Sequence, residues 1–549
     1  MSRKIARREF FKQGAIGAAA VLSAEDLKVS EAKASPPPAK PRLNVLHVMS
    51  DQYQAALTAY EGNTPHAITP NLDRLASEGV YFRKAYTVMP ICTPSRVSIF
   101  SGQYCHNHGY YGLNGPPPDC RNLTSVDLPS YLSHFRQHGY RTAAIGKVHT
   151  PDSPHNWLQD HCDLLLQCYF GLGSGGYSVE YAGYLKGRGL LEKEDSVRLP
   201  ECPGKQQMEG RPSNLPYEAS VEGWSVQKAV EFLEGIGDNP FCMQVSLPRP
   251  HECFTPDKRF WEMYPEDLPL PPTIHNDDSG RPPHFRAAVE AMKNMKWCLE
   301  PKTFEAGARR LWHGYLGCMT QVDYALGQLV EYLKRTGKYD NTIIVFGADH
   351  GSYSGTYGVA EKAPGICSDA VCRVPLVWRV PGVTPAGKTC LEFAENVDIA
   401  PTLASLCGLP LMETADGKDL RDLLAGGNKA VREIAVTENP WSKHLRWGPW
   451  EFVHFQPEMF GGDVGELYNV EKDPNETRNL YHDPAYQAVV GECRRLLMEW
   501  LIRTTRFVTA WPPPKGTQPT YWAELAADGK ESNQVGILER LRYRQLNYI

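Results

Sequence analysis

The chain has 549 residues, of which 42% are hydrophobic and 22% charged, with a formal net charge of -5. That length exceeds one small module and accommodates a large α/β core with a second, smaller domain. A weakly acidic chain without an extended Lys/Arg tract carries no nucleic-acid footprint, and beyond residue 40 no uninterrupted apolar run is long enough to span a bilayer.

The chain opens on the basic residues Arg3, Lys4, Arg7, Arg8 and Lys12, continues through the apolar stretch Gly14 to Leu22, and reaches the small-residue cleavage pattern Ala32-Lys33-Ala34. Basic, apolar and small-residue regions in that order predict a signal peptide over residues 1–34. Arg7-Arg8-Glu9-Phe10-Phe11-Lys12 also resembles a twin-arginine export signal. The expectation is export to the periplasm or the cell exterior, with the export machinery as a transient partner. Residues 35–43 read as a stiff Pro-rich linker.

Four β-branched, apolar runs predict strands: Asn44–Ser50, Arg141–Ile145, Phe241–Leu247 and Thr342–Phe346. Helices are expected over Pro70–Glu78, Val221–Glu234 and Leu311–Arg335, the last with apolar residues three and four apart. This alternation predicts an α/β fold, a large and mostly parallel sheet with helices on both faces, over residues 44–425. From residue 426 to 549 the pattern changes to a smaller α+β domain, with antiparallel strands expected at Glu433–Glu438, Trp447–Phe455 and Gly465–Val470. The stretch Trp511 to Ile549 has no assignment. The segment Pro151 to Glu218 reads as a Gly- and Pro-rich insertion that shapes a pocket.

Each strand runs into polar residues: Asp51 after the first, Gly146-Lys147-Val148-His149 after the second, Pro250-His251 after the third and Asp349-His350-Gly351 after the fourth. In open α/β sheets ligands bind outside the carboxyl ends of the strands. A single such residue is an ordinary turn residue, but four together point to one site. Cys92-Thr93-Pro94-Ser95-Arg96, followed by Ser101-Gly102, places a thiol just ahead of a helix, because Pro94 suits a first turn. The chain has 15 Cys, an odd number that cannot all pair. They lack tandem CxxC spacing, which argues against a structural zinc site. Cys162 and Cys168, and Cys367 and Cys372, are close enough to bridge, and the sequence leaves their pairing open.

The Cys92 segment resembles the signature of the formylglycine-dependent sulfatases, C-x-P-S-R with T-G a few residues on. The resemblance extends in order through Gly139-Tyr140-Arg141-Thr142-Ala143, the Lys147–His149 turn (with Val148 where Trp is common), Pro250-His251, Asp349-His350-Gly351, Lys362, Arg373-Val374-Pro375-Leu376, Val397 to Leu403, Glu466-Leu467-Tyr468 and Asp473-Pro474. It implies an alkaline-phosphatase-like fold and sulfate-ester hydrolysis. It also implies a divalent cation, Ca2+ first and Mg2+ second, held by Asp51, Gln52, Cys92, Asp349 and His350. On the same resemblance, Cys92 would become formylglycine through a formylglycine-generating maturation enzyme. Asp349 would accept the nucleophile's proton, and Arg96 would orient the formylglycine. Lys147, His149, His251 and Lys362 would hold the sulfate oxygens. His251, aided by Lys362, would protonate the leaving alcohol, and His149 would deprotonate the remaining hydroxyl. His350 reads equally as a direct ligand or as a residue that orients Asp349, because hard cations favour oxygen over imidazole.

Export together with this chemistry points to a sulfated small molecule or carbohydrate as substrate. Two rivals stand beside that reading. Phosphonate monoester and phosphodiester hydrolases share the fold and the formylglycine, and Gln52, where many sulfatases carry a second Asp, favours them; the Lys147/His149 pair disfavours them. A non-catalytic sulfated-glycan-binding protein would require loss of Cys92 or of a ligand, and neither is lost.

Overall fold

The computed structural model describes residues 42–62, 66–112, 128–151, 156–170, 176–193, 208–362 and 365–506. The export segment expected at residues 1–34 and the stretch from Trp511 onward lie outside the described residues.

Three strands are buried at every position: β1 (Asn44–Ser50), and further along the chain Phe241–Leu247 and Thr342–Ala348. Continuous burial of a β-rich run requires cover on both sheet faces. These three strands accordingly sit side by side in the middle of an eight-stranded sheet. The others are β2 (Val80–Tyr86), β3 (Arg141–Gly146), β4 (Leu164–Gln167), and, past a short hairpin of β5 (Tyr169–Phe170) and β6 (Gly176–Tyr177), the strands β9 (Leu376–Arg379) and β10 (Lys388–Glu395). With Phe241–Leu247 as β7 and Thr342–Ala348 as β8, the order is β10-β2-β9-β8-β1-β7-β3-β4. All neighbours are parallel except β9, which runs against β2 and β8. The parallel strands therefore present their carboxyl ends along one edge.

The helix expected from Leu311 begins at Phe304 and runs to Arg335. The Thr303 side chain accepts from the Ala306 amide and caps the helix upstream. Its first turns carry Glu305, Arg309 and Arg310, which blur the apolar period that the later turns show.

Beyond the large sheet lies a four-stranded antiparallel sheet, β11 (Ile434–Glu438), β12 (Ser442–Trp447), β13 (Trp450–Phe455) and β14 (Gly465–Asn469). The single strand expected over Trp447–Phe455 is instead a hairpin. Gly448 turns the chain at a φ of 51° between Trp447 and Trp450, and β12 pairs with β13 from Ser442↔Phe455 to Trp447↔Trp450. The helix Gln487–Thr504 lays Val490, Cys493, Leu496, Leu497 and Trp500 in one apolar cluster with Leu445, Phe452 and Leu467 of this sheet. The expected boundary at residue 425 falls just before β11, within one compact unit that starts at Arg42. Cys162, Cys168, Cys367 and Cys372 are free thiols. No helix among the described residues is long and apolar enough to cross a membrane.

Candidate active site

Asp51 follows β1, and its amide donates to Leu247 O of β7, so the backbone stays in sheet register up to the carboxylate. Gln52 then turns the chain at a φ of 63°. Its amide donates to Asp349 Oδ1 at 3.0 Å, tying the end of β1 to the residue that follows β8. At the end of β3, Gly146 has a φ of 103°, and a Cβ there would meet Ser246 O at 2.0 Å. Only glycine fits this turn. It projects Lys147 and His149 from the same strand end, His149 at a φ of 46°.

The helix Cys92–Ser101 follows β2 and is buried at every residue. Cys92 is its first residue rather than lying ahead of it, with Pro94 inside the first turn. Cys92 Sγ lies 3.7 Å from Asp51 Oδ1 and 3.2 Å from His350 Nε2. Ligand atoms of Asp51, Cys92, Asp349 and His350 all fall within 4.8 Å of one another. His350 Nδ1 lies 2.8 Å from Gly351 O, and a carbonyl only accepts, so the proton is on Nδ1 and the Nε2 lone pair faces the cluster. This arrangement suits a ligand as well as a residue that orients Asp349.

Two carboxylates so close would repel. Arg96 sits between them: Nη2 donates to Asp51 Oδ2 at 2.6 Å and Nε to Asp349 Oδ2 at 2.8 Å. Its third nitrogen donates to Ser246 Oγ at 2.8 Å and to Lys147 O. Lys147 Nζ lies 2.8 Å from Asp51 Oδ2. Burial pushes the Asp51 carboxyl up, but Lys147 and Arg96 outweigh it and hold the group well below the usual carboxylate range.

Around this cluster stand two imidazoles and a second ammonium. His149 is buried, and among the described residues neither ring nitrogen has a hydrogen-bond partner. Burial, then Lys147 and Arg96, push its imidazole well below the ordinary histidine value, so it is neutral. His251 Nε2 lies 3.1 Å from Lys362 Nζ, and Lys362 also donates to Gln52 Oε1 at 2.7 Å. The structure thus brings Asp51, Gln52, Cys92, Arg96, Lys147, His149, His251, Asp349, His350 and Lys362 to one edge of the sheet. The Gln52 amide oxygen accepts from Lys362 beside the four-residue donor cluster.

Sequence reasoning missed several supporting residues. Asn396 Nδ2 donates to Ser95 Oγ at 3.0 Å, and Ser95 Oγ donates to Asp349 O at 2.7 Å. Ser352 Oγ accepts from Gln52 Nε2 at 3.2 Å. Glu252 and Glu361 flank His251 and Lys362 (Glu252 Oε2 is 2.9 Å from His251 Nδ1). Their only signal in the sequence is adjacency to the residues they serve.

The donor set is two carboxylates, an imidazole and a thiol. Hard divalent cations favour oxygen over nitrogen and sulfur, so the thiol fits least well, and an oxygen at position 92 would leave His350 as the one non-oxygen donor of the four. Positive side chains that converge beside such a cluster suit an ester whose transferred group is an anion. The Sulfatase family model matches residues 43–409, and the N-sulphoglucosamine sulphohydrolase C-terminal model matches residues 366–502. The chain belongs to the sulfatase family, and it is a sulfatase enzyme.

Among curated proteins it is 29% identical to the multifunctional alkaline phosphatase superfamily protein PehA of Trinickia caryophylli, covering 84% of this chain and 95% of that one. It is 26% identical to an N-acetylglucosamine-6-O-sulfatase of Bacteroides thetaiotaomicron (83% and 86% covered) and 26% identical to an arylsulfatase of Clostridium perfringens (83% and 94%). Among solved structures, a phosphonate monoester hydrolase from Silicibacter pomeroyi aligns with a TM-score of 0.69 at 24% identity, covering 84% of this chain and 96% of that one. A protein in complex with its substrate D-glucosamine-2-N,6-O-disulfate aligns with a TM-score of 0.63 at 22% identity, covering 84% and 98%. These structural likenesses establish the fold.

Proposed function

We propose that this sulfatase removes sulfate from a sulfated carbohydrate outside the cytoplasm, using a formylglycine made from Cys92 and a bound divalent cation, Ca2+ in preference to Mg2+. The observation that carries the reading is the thiol of Cys92, 3.7 Å from Asp51 Oδ1 and 3.2 Å from His350 Nε2 in a cluster otherwise suited to a hard cation. A formylglycine-generating enzyme and the export machinery are the partners this reading requires. The N-acetylglucosamine-6-O-sulfatase among the relatives supports a carbohydrate substrate. Residues 44–425 would carry the chemistry, and 426–549 a smaller C-terminal domain.

Asp51, Asp349 and His350, with Gln52 and position 92, would hold the cation. When present, the hydrated formylglycine supplies the hydroxyl that attacks sulfur, and the cation withdraws charge from the sulfuryl oxygens and lowers that hydroxyl's pKa. The remaining work falls to the chain's own side chains. Arg96 keeps the two carboxylates in place and orients residue 92. Lys147, His149, His251 and Lys362 bind the sulfate oxygens as pre-organised positive or donor groups. Asp349 accepts a proton on its carboxylate. His251 gives its Nε2 proton to the departing alcohol, next to Lys362. His149, neutral and without a hydrogen-bond partner among the described residues, accepts a proton on a ring nitrogen in the return half of the cycle.

A second reading, phosphonate monoester or phosphodiester hydrolysis, is favoured by Gln52 and by the likeness to PehA. The Lys147/His149 pair argues against it. The test is sulfate release, measured by ion chromatography, from a panel of sulfated oligosaccharides after maturation with a formylglycine-generating enzyme. Release that disappears in Cys92→Ala and on chelation is expected. Undiminished release by Cys92→Ala would sink the reading.

A further inference from the structure

We infer that the carboxyl pair of Glu252 and Glu361 is a positioning device for His251, fixing the direction of the imidazole and the charge behind it. The inference rests on the reading of His251 as proton donor to the leaving alcohol.

The geometry is specific. His251 Nδ1 lies 2.9 Å from Glu252 O and 2.9 Å from Glu252 Oε2. The carbonyl can only accept, so Nδ1 carries a proton, and Nε2 is the atom left to act. Nε2 points to Lys362 Nζ at 3.1 Å, and Lys362 Nζ is 3.5 Å from Glu361 Oε2. The circuit closes because the carboxyls of Glu252 and Glu361 act on each other.

Two carboxyls in contact cannot both ionise, so the pair holds one proton near neutrality. Burial and the charge of Glu252 push the Glu361 carboxyl up to about 8. Burial also pushes Glu252 up, but His251 and Lys362 outweigh it and bring that carboxyl below its ordinary value. Glu361 is therefore the protonated member, and the Glu252 carboxylate faces His251. The charged groups that face His251 are Glu252, Lys147, Lys362 and Asp51. Those that face the pair are His251 and Lys362. Burial pushes the His251 imidazole down and both lysines oppose its charge, yet Glu252 with Asp51 carries it above its ordinary value.

Two charged donors cannot hydrogen-bond to each other, so the contact between Nε2 and Nζ holds one proton fewer than full charge. An anion arriving between the two nitrogens favours protonation of both. The Glu252 carboxylate makes that second proton affordable at His251. Loss of the Glu361 proton at alkaline pH adds a negative charge behind the imidazole and makes it a weaker acid.

The test uses the mature enzyme on two substrates, 4-nitrophenyl sulfate, whose phenolate leaves without help, and an alkyl sulfate, whose alkoxide needs a proton. Glu252→Gln should lower kcat/KM roughly a hundredfold on the alkyl sulfate and less than about fivefold on 4-nitrophenyl sulfate. His251→Ala should show the same bias, and Glu361→Gln should remove the decline in kcat/KM above about pH 8. Equal losses on both substrates in Glu252→Gln, with the bias kept in His251→Ala, would overturn the inference and leave the role of His251 standing. No bias in His251→Ala would overturn both. An independent readout needs no turnover: in unprocessed protein, the NMR titration midpoint of His251 should fall by about one pH unit or more in Glu252→Gln. An unchanged midpoint overturns the inference.

Discussion

Lys362 Nζ donates a 2.7 Å hydrogen bond to Gln52 Oε1. An ammonium thus engages an amide where many sulfatases place a second carboxylate, and the cation cluster carries one negative charge fewer. Gln52→Asp would restore that charge beside both Lys362 and the cation. Calcium affinity, measured by isothermal titration calorimetry, should rise on the order of tenfold, because each added carboxylate strengthens a hard-cation site. Unchanged affinity would place position 52 outside the coordination sphere.

Arg96 is the bridge that lets Asp51 and Asp349 share the site, and all three side chains are fully buried. Arg96→Met would strand two buried carboxylates. Unfolding free energy in the presence of chelator should drop by about 3–5 kcal/mol, the cost of removing one partner from a buried ion pair. Calcium should recover part of that loss, since a cation that binds only the native state stabilises it. Chemical denaturation with and without calcium measures both effects.

Gly146→Ala tests the turn that projects Lys147 and His149. The added Cβ would meet Ser246 O at 2.0 Å, at a φ of 103°. The neighbour is backbone and cannot step aside cheaply. A loss of about 3 kcal/mol in stability is expected from strain and displacement together, with sulfate turnover falling more steeply than soluble yield.

His108 supplies a pH dependence. Its Nδ1 accepts from the Tyr110 amide at 3.1 Å, which leaves the proton on Nε2, 2.8 Å from Ser98 Oγ. Burial pushes the imidazole down to about 3, against a smaller upward effect of Glu438. The folded value is depressed, so the stabilisation is complete above the unfolded value near 6.5 and is lost as pH falls. The unfolded chain takes up the proton first, which costs about 1.4 kcal/mol per pH unit for one group. His108→Gln should flatten the decline in unfolding free energy between pH 6.5 and 4.5 by about that slope, compared with the unsubstituted chain.

The strand ends were readable because buried parallel strands are continuous apolar runs and the polar residue that ends each run stands out, as Asp51 does after Asn44–Ser50. Cys92 was readable because Cys92-Thr93-Pro94-Ser95-Arg96 resembles the sulfatase signature, with Pro94 suited to a helix's first turn. β12 was not, because Lys443 and Arg446 interrupt Ser442–Trp447 and hide a strand whose register is set by β11 and β13. The helix Gln487–Thr504 went unread, since it packs one stripe on the antiparallel sheet and carries charge elsewhere. Asn396 and Ser246 reach the site through contacts distant in sequence, and Glu252 and Glu361 matter only as a pair. No local spacing signals such contacts.

The most direct test of the central claim is a paired turnover assay on protein matured with a formylglycine-generating enzyme and supplied with calcium, comparing an aryl sulfate with an aryl phosphonate monoester. The account predicts faster sulfate cleavage, absent in Cys92→Ala. Faster phosphonate cleavage, or sulfate cleavage that survives Cys92→Ala, would contradict it.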